Sequence, residues 1–190
     1  TDAYGGSLEN RMRYPLEVFA ATRAVWPKDK PMGIRVSAVD WVDGGTTIED
    51  TVAFAKELKK LGCDYVDVSS GQVDLRQKIP FAPAYNAPFA EQVRREAQIP
   101  TMTVGLITKA REAEDLIASC KVDMVCIARG AMWDPRWAWH AAEELGAEAP
   151  YALWVTCRSA ELPDGKRFED WIELTQELVT AVGALKATMG

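Results

Sequence analysis

The sequence predicts an α/β protein built around a parallel sheet. Three observations carry that prediction. After an initial helix, short β-branched runs alternate four times with longer segments of helical apolar spacing, the pattern of βαβ units. The segments between the runs are long enough for the right-handed crossovers that parallel strands need. The chain has 190 residues, 48% hydrophobic and 26% charged, an ordinary globular composition with room for one domain and an appendage. At this level two architectures fit, a piece of a (β/α)8 barrel and a small doubly wound sheet. A complete barrel takes about 250 residues, so four strands would make half of one.

The elements follow in order. Met12, Leu16, Phe19, Ala20 and Val25 recur at helical spacing over residues 8–25, and Pro27 and Pro31 end the run. Asp2, Glu9 and Asn10 are expected to cap or pair within this helix. Residues 33–39 read as a strand. Thr46 or Thr47 can cap a helix over 48–61, and Gly62 stops it. Residues 64–69 alternate like a strand. Residues 71–86, with Pro80 and Pro83, have no period and read as a loop. A helix over 87–97, a strand over 101–104, a helix over 109–119, a strand over 122–128 and a helix over 135–145 capped by Asp134 complete the alternation. Residues 151–190 break the pattern. Leu162-Pro163-Asp164-Gly165 is a turn signature. An amphipathic helix follows over 168–185 and must dock on its own domain or on a partner. The expected division is therefore 1–150 and 151–190.

Composition narrows the functions. A net charge of −6 argues against a general nucleic-acid binder, which needs a basic face for phosphates. No apolar run approaches the roughly 18–20 residues of a membrane span, and no secretory signal is visible. The chain opens on Thr1 rather than Met, as a fragment or processed product would. Cys63, Cys120, Cys126 and Cys157 form no C-x-x-C pair, which disfavours a zinc knuckle or thioredoxin-type site. Buried, reduced thiols in a cytoplasmic protein are the expectation. A single histidine excludes any site built from two histidines of one chain.

Two strand ends could carry chemistry. Thr103-Val104-Gly105-Leu106-Ile107-Thr108 leaves its strand through a glycine and enters a helix, so backbone N–H groups can approach a ligand. Ile127-Ala128-Arg129-Gly130 ends the next strand similarly, with an arginine able to grip a phosphate. Each turn alone is weak evidence; together they favour a phosphate site, as after the last two strands of (β/α)8 barrels. Arg35 stands inside an apolar strand, where a charge must be paired or aimed at a ligand. It could stabilise negative charge on a cofactor, or form an ion pair with Asp67. Asp40, Asp43, Asp64 and Asp67 have no convincing metal-ligand spacing. His140 reads as structural or exposed, and Trp133, Trp137 and Trp139 as packing. No Ser-His-Asp triad assembles.

The opening Thr1-Asp2-Ala3-Tyr4-Gly5-Gly6-Ser7-Leu8-Glu9-Asn10-Arg11 is long and specific. It resembles the old yellow enzyme family of flavin-dependent ene-reductases, in particular its xenobiotic reductase-like branch. The resemblance continues through Arg35-Val36-Ser37-Ala38, Asp67-Val68-Ser69-Ser70-Gly71, Val104-Gly105-Leu106-Ile107-Thr108 and Ile127-Ala128-Arg129-Gly130 with Asp134-Pro135, and covers about residues 1–150.

The resemblance implies a fold, a cofactor and a reaction. The fold would be the C-terminal half, strands 5–8, of a (β/α)8 TIM barrel, followed by a helical tail. The cofactor would be FMN, reduced by NADPH or NADH, and the substrate an activated alkene. Arg35 matches the arginine at the flavin pyrimidine edge, Val104 and Gly105 the first phosphate turn, and Ala128 and Arg129 the second. The family's substrate-binding histidine pair would lie before Tyr4-Gly5-Gly6-Ser7, ahead of Thr1. No catalytic residue is therefore assigned, and this chain alone is expected to be inactive. The alternative is a non-catalytic half-barrel module that self-associates or complements an N-terminal half. Neither reading calls for nucleic acid or a membrane.

Overall fold

The computed structural model describes residues 2–147. They form α1 (Leu8–Val25), β1 (Gly33–Ser37), α2 (Ile48–Lys60), β2 (Tyr65–Ser69), α3 (Ala87–Ala97), β3 (Thr101–Val104), α4 (Ala110–Ala118), β4 (Met124–Cys126), α5 (Arg129–Trp133) and α6 (Trp137–Leu145). The strands make one sheet in the order β1-β2-β3-β4, and every pairing is parallel. The predicted α/β class and parallel sheet are thus present.

Local chemistry sets the helix starts. Ser7 caps α1, its hydroxyl accepting the Asn10 N–H at 3.3 Å. Of the two threonines, Thr47 caps α2. Its hydroxyl takes the Asp50 N–H, and the Asp50 carboxylate takes the Thr47 N–H, a reciprocal box that satisfies two otherwise orphaned donors. Asp2 and Asn10 act locally: Asp2 accepts the Tyr4 N–H at 2.8 Å and Asn10 donates to the Gly5 carbonyl at 3.2 Å.

The sheet has two unlike faces. Val66, Val68, Thr101 and Thr103 are buried, and they join Ala55 and Leu58 of α2 and Ala90 and Val93 of α3 in the core. The alternate positions, Arg35, Tyr65, Asp67, Ser69, Met102, Val104, Met124 and Cys126, lie on the opposite face, and none is fully buried among the described residues. Parallel sheets are ordinarily covered on both faces; here, among the described residues, only one face carries a helical layer.

The structure departs from the sequence reading at the last strand and helix. The strand expected over 122–128 is confined to Met124–Cys126. Among the described residues it is an edge strand paired on one side only, and the Asp123 carboxylate at its start is committed to Arg94 and to the Thr101 N–H. The helix expected over 135–145 begins at Trp137, and a separate five-residue helix, α5, precedes it. Five residues including Gly130 are too few to show a helical period. Asp134 is not the N-cap, but its carboxylate does hold the start of α6, accepting the Arg136 N–H at 2.9 Å. Residues 71–86 form no helix or strand, as expected. The amphipathic run over 168–185 and Cys157 lie outside the described residues.

Candidate functional site

The carboxyl ends of the four strands gather the residues singled out above. Strand pairing places Val104 beside Cys126, so the turns after β3 and β4 leave adjacent strands at the same edge. Gly105 has φ +131°, a backbone region that L side chains rarely adopt. A Cβ there would also stand 2.7 Å from the Tyr85 ring, so the turn requires glycine on two counts. Ala128 is the N-cap of α5 and Arg129 its first residue. The first N–H groups of a helix have no intrahelical acceptor. The Arg129 side chain is exposed and makes no ion pair or hydrogen bond among the described residues. This donor set fits an anion.

Arg35 lies two strands from β3, on the uncovered face. One guanidinium N–H donates to Asp67 Oδ2 at 3.2 Å, and the two side chains are 57% and 14% exposed. Of the two possibilities open to Arg35, the ion pair with Asp67 is the one present. Arg35 is paired, yet its remaining N–H groups face away from the core without a partner among the described residues. Asp67 Oδ1 is buried without a hydrogen-bond partner among those residues. Cys126 follows on the same face. Burial pushes its thiol pKa up, and the neighbouring Asp67 charge adds to the shift.

A hydrogen-bond chain with a buried centre ties the loops together. Trp41 Nε1 donates to Ser70 Oγ at 2.8 Å, Ser70 Oγ donates to Asn86 Oδ1 at 2.6 Å, and Asn86 Nδ2 donates to the Val104 carbonyl at 2.8 Å. Asn86 is fully buried and Ser70 nearly so. Three consecutive strand ends are thereby locked to one another. Neither Asn86 nor Trp41 stands out in the sequence, because Asn86 closes an aperiodic loop and is an unexceptional turn residue there.

His140 does not join this group. Its Nδ1 lies 2.6 Å from Asp134 Oδ2, and its side chain is 61% exposed. That contact holds the Asp134 carboxyl below its ordinary pKa.

Residues 1–148 match the profile of the NADH:flavin oxidoreductase / NADH oxidase family. The chain belongs to this family. The resemblance to old yellow enzymes seen in the Tyr4-Gly5-Gly6-Ser7 motif rests on the same residues. An NADPH dehydrogenase from Geobacillus sp. (strain WCH70) is 46% identical over 145 residues, 76% of this chain and 42% of the relative. An NADPH dehydrogenase from Bacillus subtilis is 40% identical over 150 residues, 79% of this chain and 44% of the relative. The old yellow enzyme homologue from Zymomonas mobilis shares the fold at a TM-score of 0.56 and 20% identity, over 86% of this chain and 44% of that one. A 2-naphthoyl-CoA reductase does so at a TM-score of 0.68 and 24% identity, over 76% of this chain and 23% of that one. The chain thus spans less than half the length of the family members it matches. No helix among the described residues is long and apolar enough to cross a membrane.

Proposed function

We propose that residues 1–148 are strands 5–8 of a (β/α)8 barrel and supply the phosphate end of an FMN site in an NAD(P)H-dependent ene-reductase. The observation that carries this reading is the pair of adjacent turns after β3 and β4, with Gly105 in one and, in the other, Arg129, which has no partner among the described residues. When bound, FMN would supply the hydride relay between NADPH or NADH and the β-carbon of an activated alkene.

Each residue's part follows from its chemistry. Backbone N–H groups of the Val104–Gly105 and Ala128–Arg129 turns, with the Arg129 guanidinium, would hold the phosphate. Arg35 would supply a cation to the flavin ring and so favour the negative charge of its reduced form. Asp67 keeps that guanidinium in place. No residue of this stretch is assigned to activate the alkene. The free thiols of Cys63, Cys120 and Cys126 suit a cytoplasmic location.

A second reading is a half-barrel module that associates with another half or with itself. The observation favouring it is the sheet face left uncovered among the described residues, together with the edge strands β1 and β4, which invite pairing. Visible absorption of the purified chain after mixing with FMN and gel filtration separates the two. A yellow protein carrying FMN supports the first reading. A colourless chain that elutes as an oligomer supports the second and overturns the first.

A further inference from the structure

The β3–β4 pairing ends at Val104 and Cys126. Beyond it, the two turns have no ladder to hold them at a fixed separation. A cradle for one anion needs its donors to converge within hydrogen-bond distance of a common point. Something beyond the sheet must therefore hold one turn against the other.

We propose that Trp137 is that positioning residue. It is the first residue of α6 and packs, half-buried, against the core. Its indole N–H donates to the Thr108 carbonyl at 2.9 Å, at the far side of the turn after β3. The same ring lies against Gly130, directly after Arg129. A Cβ added at Gly130 would be 3.6 Å from Trp137 Cδ1, 3.7 Å from Nε1 and 2.9 Å from Ile127 Cγ2. One side chain thus bonds the first turn and borders the second.

The backbone fixes where this ring stands. The Asp134 N–H donates to the Gly130 carbonyl at 2.8 Å, and the Trp137 N–H donates to the Asp134 carbonyl at 2.9 Å. The indole is therefore referenced to the turn after β4 through two backbone bonds, and it reaches across to the turn after β3 through its own N–H. Trp137 touches neither the phosphate nor the flavin in this account. It sets the spacing of the groups that do, and it rests on the phosphate reading above.

The test uses the full chain and two ligands that share the flavin ring, FMN and riboflavin, each titrated by quenching of flavin fluorescence. Wild type should bind FMN more tightly than riboflavin. Trp137→Phe keeps a ring against Gly130 and deletes the indole N–H. It should lower the FMN preference by about two- to tenfold, the worth of one hydrogen bond, and leave riboflavin affinity unchanged. Trp137→Leu also deletes the indole N–H while keeping an apolar side chain, and should lower the same preference; it serves where the phenylalanine variant does not fold. Trp133→Phe, at a 92% exposed neighbour, should change nothing. An unchanged FMN preference in Trp137→Phe and in Trp137→Leu overturns the role of Trp137, as does an equal loss for both ligands. If wild type shows no preference for FMN, the phosphate reading itself fails.

Discussion

The Arg35 guanidinium lies 3.2 Å from the Asp67 carboxylate across a register pair that joins β1 to β2. The pair is asymmetric, with Arg35 mostly in the open and Asp67 mostly covered. Removing the arginine strands a covered charge, whereas neutralising the aspartate leaves an exposed cation that water solvates. Arg35→Met should therefore cost about 1–2 kcal/mol, and Asp67→Asn less than about 1 kcal/mol. Urea unfolding of the two variants reads the order, and the reverse order would contradict this account of the pair.

The same aspartate acts on Cys126. Burial is the larger cause of the raised thiol pKa and the Asp67 charge the next. Asp67→Asn should bring that pKa down without restoring an ordinary value. The pH dependence of iodoacetamide labelling at the Cys126 peptide, followed by mass spectrometry, measures it. An unshifted profile would separate the two residues electrically.

Asn86 is the costly residue to lose. Its amide joins Ser70 to the Val104 carbonyl out of contact with water. Asn86→Ala removes both bonds and leaves buried partners unsatisfied, at about 2–4 kcal/mol. Calorimetry should show a larger drop in Tm than for Glu96→Ala, which breaks only the exposed pair with Arg95.

Gly105→Ala tests the turn after β3. The left-handed backbone and the Tyr85 ring 2.7 Å from the new Cβ together predict a loss of about 2 kcal/mol or more. Tyr85→Ala in the same chain removes the clash but not the backbone strain, so it should recover only part of that loss.

Alkaline stability should carry the mark of Cys63. Burial raises its thiol pKa from 9.0 to about 11. Between those values the unfolded chain has released the proton and the folded chain still holds it. The stabilisation is therefore complete below pH 9 and is lost as pH rises toward 11. Cys63→Ala should flatten this part of the stability profile; an unchanged slope would show that another group sets it.

Much of the protein was legible in one dimension. The alternation of β-branched runs with helical spacing marks the parallel sheet, because each period is a local property of the chain. The Tyr4-Gly5-Gly6-Ser7 motif marks the family, and Gly105 and Arg129 mark the two turns. The sequence left the choice at Arg35 between partner and ligand open, since a charge inside a strand is compatible with either. It showed nothing of α5, which is too short to have a period.

The sequence by itself determined the alternation that builds the parallel sheet and which strand ends hold candidate anion donors. The tertiary structure alone decided how those ends are held. Arg35 meets Asp67 across 32 residues, Ser70 meets Asn86 across 16, and Trp137 meets Thr108 across 29. Contacts at such separations depend on the register of the strands and the docking of α6, and no local spacing of residue types encodes either.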